Sequence, residues 1–413
     1  MMNSLYNGVS GLRAHQRRMD VTGNNIANVN TAGFKRGRVN FAEMLGQPLG
    51  GAGRVAVGRG SIGSGVGITS VTQDWSQGSF EFTSVSTDLA LAGDGFFVAD
   101  GPEGAMLTRA GNFGFDPEGR LVTAGGLPVQ GWAVRPDGAV YTGATQDVRL
   151  DVNLTSDPEE TATARVTGNL SADLTSGSAD ATQSVSTVVY DAQGRAHNVV
   201  IKLEKTSATE WTVASAEIAG DPDATPPIPA TPLTGAGGVV TFDSSGHLTG
   251  GGSITLGGTY PNSGDDVNIA VDLAGLTHFG GSTTVQVAEQ DGQAAGSVVG
   301  YGFDGEGQLL VQFSNGEHKA LFQLAIGNVT NPAGLEQRGD GFYVATQSSG
   351  DLRIGRAGQE VATELVAGAL EMSNVDLAVE FTNMIVTQRG YQASARVITT
   401  SDELLQEVVQ LKR

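Results

Sequence analysis

Gly93-Asp94-Gly95-Phe96-Phe97-Val98-Ala99, followed by Arg109-Ala110-Gly111, returns far along the chain as Gly339-Asp340-Gly341-Phe342-Tyr343-Val344-Ala345, followed by Arg356-Ala357-Gly358. A turn signal that opens an apolar, aromatic run reads as a turn feeding a strand. Its recurrence on both sides of a long intervening block predicts one β domain built from two chain segments, 76–150 and 291–369, with residues 151–290 inserted as a second β domain.

The block between the copies is patterned for hairpins. Phe115-Asp116-Pro117-Glu118-Gly119, Tyr190-Asp191-Ala192-Gln193-Gly194, Phe242-Asp243-Ser244-Ser245-Gly246 and Phe303-Asp304-Gly305-Glu306-Gly307 repeat one turn between alternating apolar residues. Asp bonds the backbone ahead of it and Gly takes the left-handed position that closes the turn. A calcium loop would need more oxygen ligands and a bidentate acid at its end, so these read as turns. Residues 151–300 hold 18 acids against four Lys and Arg, an excess that marks a solvated, outward-facing module.

Outward from there, proline vanishes. None of the 13 prolines lies in 1–47 or 333–413, while five crowd into 222–232. Both ends are therefore free to be helical. Leu5, Leu12, Met19 and Ile26 recur every seven residues, as do Leu377, Met384, Tyr391, Ile398 and Leu405. A seven-residue apolar repeat at both ends predicts a terminal coiled coil from 1–30 and 370–413, with these residues as its self-assembly seam. Thr387, Gly390, Ser394 and Ser401 interrupt the seam and thin it. Ser373 or Asn374 is the expected cap of the second helix. Residues 31–75, with eight glycines between Gly50 and Gly67, read as an extended connector. Gly58-Arg59-Gly60-Ser61-Ile62-Gly63 matches G-x-G-x-x-G, but no helical apolar pattern follows it and a dinucleotide site is rejected. The fold class is thus α+β and mostly β, with terminal helices and nested β domains.

Composition removes other functions. The 413 residues hold 44 acids against 24 Lys and Arg, so phosphate-backbone binding is unsupported and no nucleic-acid partner is expected. Residues 1–60 run against this trend, with eight Lys and Arg against two acids. The absence of cysteine removes disulfides, thiol catalysis and zinc–thiolate sites. No apolar run is long enough to span a bilayer, and the N-terminus lacks the apolar stretch of a cleaved signal peptide. His15, His197, His247, His278 and His318 stand apart without ligand spacing. No nucleophile elbow or P-loop is present. No enzyme, cofactor or metal site is expected.

Two segments carry a resemblance. Asn24-Asn25-Ile26-Ala27-Asn28-Val29-Asn30-Thr31-Ala32-Gly33-Phe34-Lys35 resembles the N-terminal signature of bacterial flagellar rod and hook proteins. Leu370-Glu371-Met372-Ser373-Asn374-Val375-Asp376-Leu377, with Glu380-Phe381-Thr382 and Gln388-Arg389-Gly390-Tyr391-Gln392-Ala393, resembles their C-terminal signature. Asp88-Leu89-Ala90-Leu91 through Gly95-Phe96-Phe97 is similar to a third shared motif. Ser394 stands where the family pattern often has Asn. The long connector and the insertion resemble the hook branch of the family, whose rod members are shorter.

The resemblance implies a structural subunit that stacks into a flexible helical tube and passes torque from motor and rod to filament. It implies export by the flagellar type III apparatus, with localisation in the hook outside the cell. The implied partners are further copies of the chain, the rod, the hook cap and the hook–filament junction proteins. A distal-rod-type protein with an insertion is the alternative within the family. A secreted adhesin or carbohydrate-binding β module is the alternative from another class.

Overall fold

The computed structural model describes every residue except 1, 45–46, 49–60, 103, 136, 142, 221–227, 262–263 and 411–413. Most of the glycine-rich stretch with its G-x-G-x-x-G, residues 222–227 of the proline-rich run and the Lys412-Arg413 end lie outside the described residues. Strand accounts for 46% and helix for 17%, so helices are confined almost wholly to the two ends. The chain divides into two compact units: residues 1–152, 301–311 and 319–413, and residues 153–300 with 312–318. Expected boundaries of 151 and 290 for the insertion thus compare with 153 and 300 for the main segment of the second unit.

In the first unit, helix α1 spans Met2–Ala27 and helix α2 spans Leu377–Gln410. Neither contains proline, and α2 at 34 residues is about 50 Å long. Its cap corrects the expectation of Ser373 or Asn374. Asp376 Oδ1 accepts the N–H groups of Ala378 at 2.8 Å and Val379 at 3.2 Å, satisfying the first orphan donors of the helix. The Asn374 side chain is engaged elsewhere.

The helices pack antiparallel, as their matched pairs show. Ser4 Oγ lies 3.2 Å from Ser401 Oγ, Arg18 Nη2 donates to Asn383 Oδ1 at 3.3 Å, and Asn25 Nδ2 donates to Glu380 Oε2 at 3.2 Å. The contact line runs through Gly8, Gly11, His15, Thr22, Thr387, Gly390 and Ser394. A Cβ on Gly8 would come within 2.8 Å of Ile398, one on Gly11 within 2.9 Å of Ser394 Oγ, and one on Gly390 within 2.5 Å of the His15 ring. Small residues share this line with the heptad residue Ile398. Leu5, Leu12, Met19, Ile26, Met384, Tyr391, Ile398 and Leu405 are half-buried, and Leu377 is exposed. At the glycines a side chain of the facing helix packs directly on the backbone, Ile398 on Gly8 and His15 on Gly390. The residues that thinned the apolar repeat are among those that touch.

The expected connector also needs correction at both ends. Gly37–Glu43 and Val66–Gln73 form an antiparallel ladder with an irregularity at Asn40/Phe41. The pair lies against α1: Ser10 Oγ accepts the Val66 N–H at 3.2 Å, and Val21 closes on Gly37. Val39 stands opposite Val71 and Phe41 opposite Ile68 across the ladder, and pairing satisfies a backbone that a free linker would leave to water.

The echoed segments meet in one six-stranded sheet, ordered Glu336–Gly339, Phe342–Val344, Gly104–Thr108, Phe96–Gly101, Ile326–Asn328, Arg353–Gly355. Phe97 and Phe342 both pair with Thr108, from opposite sides of one strand. Phe96, Val98, Leu107, Trp132 and Tyr343 build the core beneath. Thr363–Ala367 pairs with Leu89–Gly93, and Ala369–Glu371 with Phe80–Phe82, which carries the chain to the start of α2.

The second unit holds a sheet of Thr182–Tyr190, Ala196–Lys205, Glu210–Ile218, Val239–Phe242 and Leu248–Gly250, and another of Ser253–Thr259, Asp266–Thr277, Thr163–Asn169 and Gln286–Gln290. One core centred on Trp211, Ile201, Val213, Leu256 and Ile269 lies within it. All four repeated turns close as read. Gly119, Gly194, Gly246 and Gly307 have φ of 76°, 76°, 81° and 85°. The Oδ1 atoms of Asp116, Asp191, Asp243 and Asp304 accept the N–H four residues on at 2.7–2.9 Å.

Candidate functional site

The signature residues at the two ends come together where the helices join the β body of the first unit. The C-terminal end of α1 is closed locally: Asn28 Nδ2 donates to the Asn24 carbonyl at 2.9 Å, and Thr31 Oγ1 donates to Asn28 Oδ1 at 3.1 Å. The chain then turns through Gly33, whose φ of 69° favours glycine. A Cβ there would come within 2.6 Å of the Ala110 backbone, while the Gly33 N–H donates to the Glu371 carbonyl at 2.7 Å. Gly33 is thus required twice, by its angle and by the approach of two other segments.

Lys35 follows, and its ammonium is buried. Lys35 Nζ lies 2.7 Å from Glu371 Oε1 and donates to the Ser76 carbonyl at 2.9 Å. Arg109 Nη1 stands 3.3 Å from Glu371 Oε2, its Nη2 donates to the Gly93 carbonyl at 2.9 Å, and its guanidinium lies over the Phe96 ring. The Gly78 N–H completes the shell of Glu371 Oε1 at 2.9 Å. One carboxylate therefore ties four separate stretches of chain. Burial pushes the Lys35 ammonium below its ordinary value, with Glu371 pulling it back up, and burial lowers Arg109 likewise.

Two asparagines lace the same region. Asn25, fully buried, exchanges both of its amide bonds with the Gly37 backbone at 2.9 Å each. Asn374 Oδ1 accepts the Arg36 N–H at 2.8 Å, and its Nδ2 donates to the carbonyls of Asp74 at 2.8 Å and Ser76 at 3.0 Å. Arg36 pairs with Asp74 at 2.9 Å. Hydrogen bonds from the Ser76 backbone and side chain hold the Asp74 carboxyl below the usual range, against some burial, with Arg36 adding to the effect.

Of the signature residues, Asn25, Asn28, Thr31, Gly33, Asn374 and Asp376 thus have structural bonds within the chain. Ser373 Oγ accepts the Val375 N–H, Val375 is buried, and Phe34 and Tyr391 are half-buried. Asn24, Ala27, Asn30, Gln388, Arg389, Gln392 and Ala393 are exposed on the helices and the turn after α1. Glu371, Lys35 and Arg109 lay inside the quoted stretches without being singled out. No spacing rule joins charges so far apart in sequence. The available signal was a lone charge set in an apolar run, as in Leu370-Glu371-Met372.

The histidines serve packing. His197 Nε2 lies 3.1 Å from Asp191 Oδ2, His278 sits between the Leu170 and Ala208 carbonyls, and His15 rests on Gly390. What the arrangement does is mechanical: it locks a helical pair to a β body through buried charge and amide bonds.

Comparison with known proteins follows the same segments. Residues 5–35 match the family described as flagella basal body rod protein, and 366–411 the flagellar basal body rod FlgEFG protein C-terminal family. Residues 90–163 match the flagellar hook protein FlgE/F/G D1 domain, and 153–293 the flagellar basal body protein FlaE D2 domain. The flagellar hook proteins FlgE of Treponema pallidum and Borreliella burgdorferi are each 36% identical over the full length of both chains. That of Salmonella typhimurium is 32% identical over 99% of this chain and all of its own. The crystal structure of Helicobacter pylori flagellar hook protein FlgE2 aligns with 71% of this chain at 15% identity and a TM-score of 0.49.

Proposed function

The chain belongs to the flagellar hook protein FlgE family, a family of structural proteins and not of enzymes, and from that membership we propose how it performs as a hook subunit. Copies of the chain self-polymerise within the flagellum, as the family implies. In our reading the terminal segments 1–30 and 370–413 form the assembly layer, the β domain of 76–150 and 291–369 carries them, and the acidic 151–290 is a separate module. The apolar residues of the heptads, from Leu5 to Ile26 and from Leu377 to Leu405, contact neighbouring subunits. Rod, hook cap, junction proteins and the type III export apparatus are the further partners.

The observation that carries this reading is the buried Lys35–Glu371–Arg109 joint. A subunit that passes torque needs its assembly helices fixed to its body. Buried charges that bond to several separate segments resist shear better than a flexible linker. Heterologous contacts that do not close into a ring let such subunits add without limit. Electron microscopy of the purified chain at high concentration tests the proposal. Curved tubes are expected. Straight, rigid tubes would favour a rod-type subunit, and failure of any concentration to give tubes would refute the reading.

A further inference from the structure

The exposed face of α1 carries arginines beside an apolar groove, the last turns of α2 carry glutamates beside an apolar stripe, and the helix register keeps these charges apart within one chain. Beside α1 lies a groove of about 760 Å³ whose lining includes the apolar Tyr6, Val9 and Met44 and the charged Arg13, Arg17 and Asp20, two cations against one acid. Tyr6, Val9 and Met44 are exposed apolar side chains, and neither arginine has an ion pair among the described residues. On α2, Val397, Leu404 and Val408 form an exposed apolar stripe at i, i+7 and i+11, flanked by exposed Glu403 and Glu407. These two glutamates likewise have no ion pair among the described residues.

The antiparallel register keeps the two faces apart in a single copy. Ser401 stands opposite Ser4 and Ser394 opposite Gly11, so Glu403 lies at the start of α1. Arg13 and Arg17 then sit some 15 Å or more further along the axis, beyond side-chain reach.

We propose that the groove takes the Val397–Leu404–Val408 stripe of a second copy of this chain, with Arg13 and Arg17 against that copy's Glu403 and Glu407. The inference rests on the hook reading and specifies one contact within it. Each copy then presents one groove and one stripe, and the contact is heterologous and open-ended. The apolar side chains leave water together, while the charges at the edge set register and reject mismatched approach.

The test uses the full chain and charge reversal. Polymer is sedimented over a concentration series for wild type, Arg13→Glu/Arg17→Glu, Glu403→Arg/Glu407→Arg and an equimolar mixture of the two variants. Each variant alone is expected to need about tenfold more protein to polymerise, since like charges then face each other at every contact. The mixture is expected to return to near the wild-type value, because alternating copies restore opposite charges. Near-wild-type assembly by either variant alone would overturn the contact. So would a mixture no better than its components when both keep native near-ultraviolet dichroism. Absence of tubes from the wild type would instead refute the hook reading.

Discussion

Replacing Glu371 by Gln removes one charge and changes almost no volume, so it isolates the electrostatic part of the joint. Lys35 and Arg109 have side chains 1% and 4% exposed, and Glu371 is fully buried between them. Without the carboxylate, two cations remain out of water with only carbonyl acceptors. Breaking a buried pair by removing one partner costs about 3–5 kcal/mol, and with two cations served by one acid we expect the upper part of that range. Tryptophan supplies separate readouts, since Trp75 and Trp132 lie in the first unit and Trp211 in the second. Urea unfolding of single-tryptophan variants should show the loss at Trp75 and Trp132 and none at Trp211. The loss should also shrink with rising pH. Burial already holds Lys35 below its ordinary 10.5, and Glu371 opposes that shift. Removing Glu371 lets the folded-state value fall further, so the folded chain binds fewer protons than the unfolded one over a wider alkaline window, and stability climbs with pH there. Replacing all three residues by Met should come close to wild type, because no uncompensated charge is left. A Glu371→Gln loss below about 1 kcal/mol, or one that does not change with pH, would refute the reasoning.

Gly390→Ala should loosen the helix pair, because the new methyl overlaps the His15 ring; about 1–3 kcal/mol of overpacking should lower helical ellipticity well before the strand signal melts. Acid should act through carboxylates whose folded values are depressed. Arg356, through its side chain and then its backbone N–H, holds Glu360 down at about 2. The unfolded chain therefore binds more protons, and the Glu360 contribution is lost as pH falls from about 4.5 toward 2, so the urea midpoint of Glu360→Gln should depend less on pH there than that of wild type. The core cluster of the second unit falls between Ala164 and Val287, so residues 153–300 expressed alone should give dispersed amide signals; a collapsed spectrum would count against an independent unit.

The parts of this fold that were legible in the sequence are those whose causes are local. Asp and Gly three residues apart specify the turns at Asp116, Asp191, Asp243 and Asp304, since the carboxylate bonds and the positive φ both lie within five residues. The echoed Gly-Asp-Gly segments predicted their shared sheet because a repeated strand signal needs a partner. The cap was misread because Ser373, Asn374 and Asp376 are all good cap residues. Only the tertiary position of Arg36 and Ser76, which draw Asn374 away, decides among them. The Lys35–Glu371 pair was illegible for a similar reason, since opposite charges separated by most of the chain carry no periodicity. The paired ends of the connector were hidden by its glycine content, which outweighed the short apolar alternations at 37–43 and 66–73.

The heptads mark apolar stripes on both helices, and within one chain the helices also meet through small residues. Apolar repeats identify where a helix can gain from burial, but they do not say against which neighbour. Here α1 and α2 meet through Gly8, Gly11, Gly390, Ser394 and Ser401, with Ile398 packed on Gly8. Val379, Val386, Val397, Leu404 and Val408 remain exposed on α2. Long helices in water draw most of their stability from packing an apolar face. At about 25 cal/mol per Å² of apolar surface removed from water, the exposed valines and leucine outweigh the small residues of the seam as a source of free energy. The order of events follows. The polar joint and the small-residue seam set the orientation of the helices, and the larger gain comes only when another copy covers the outer stripe. Folding of the ends and addition to the polymer are then coupled, so Leu404→Asp should leave the β units intact and remove both polymer and the polymer-linked rise in helix content.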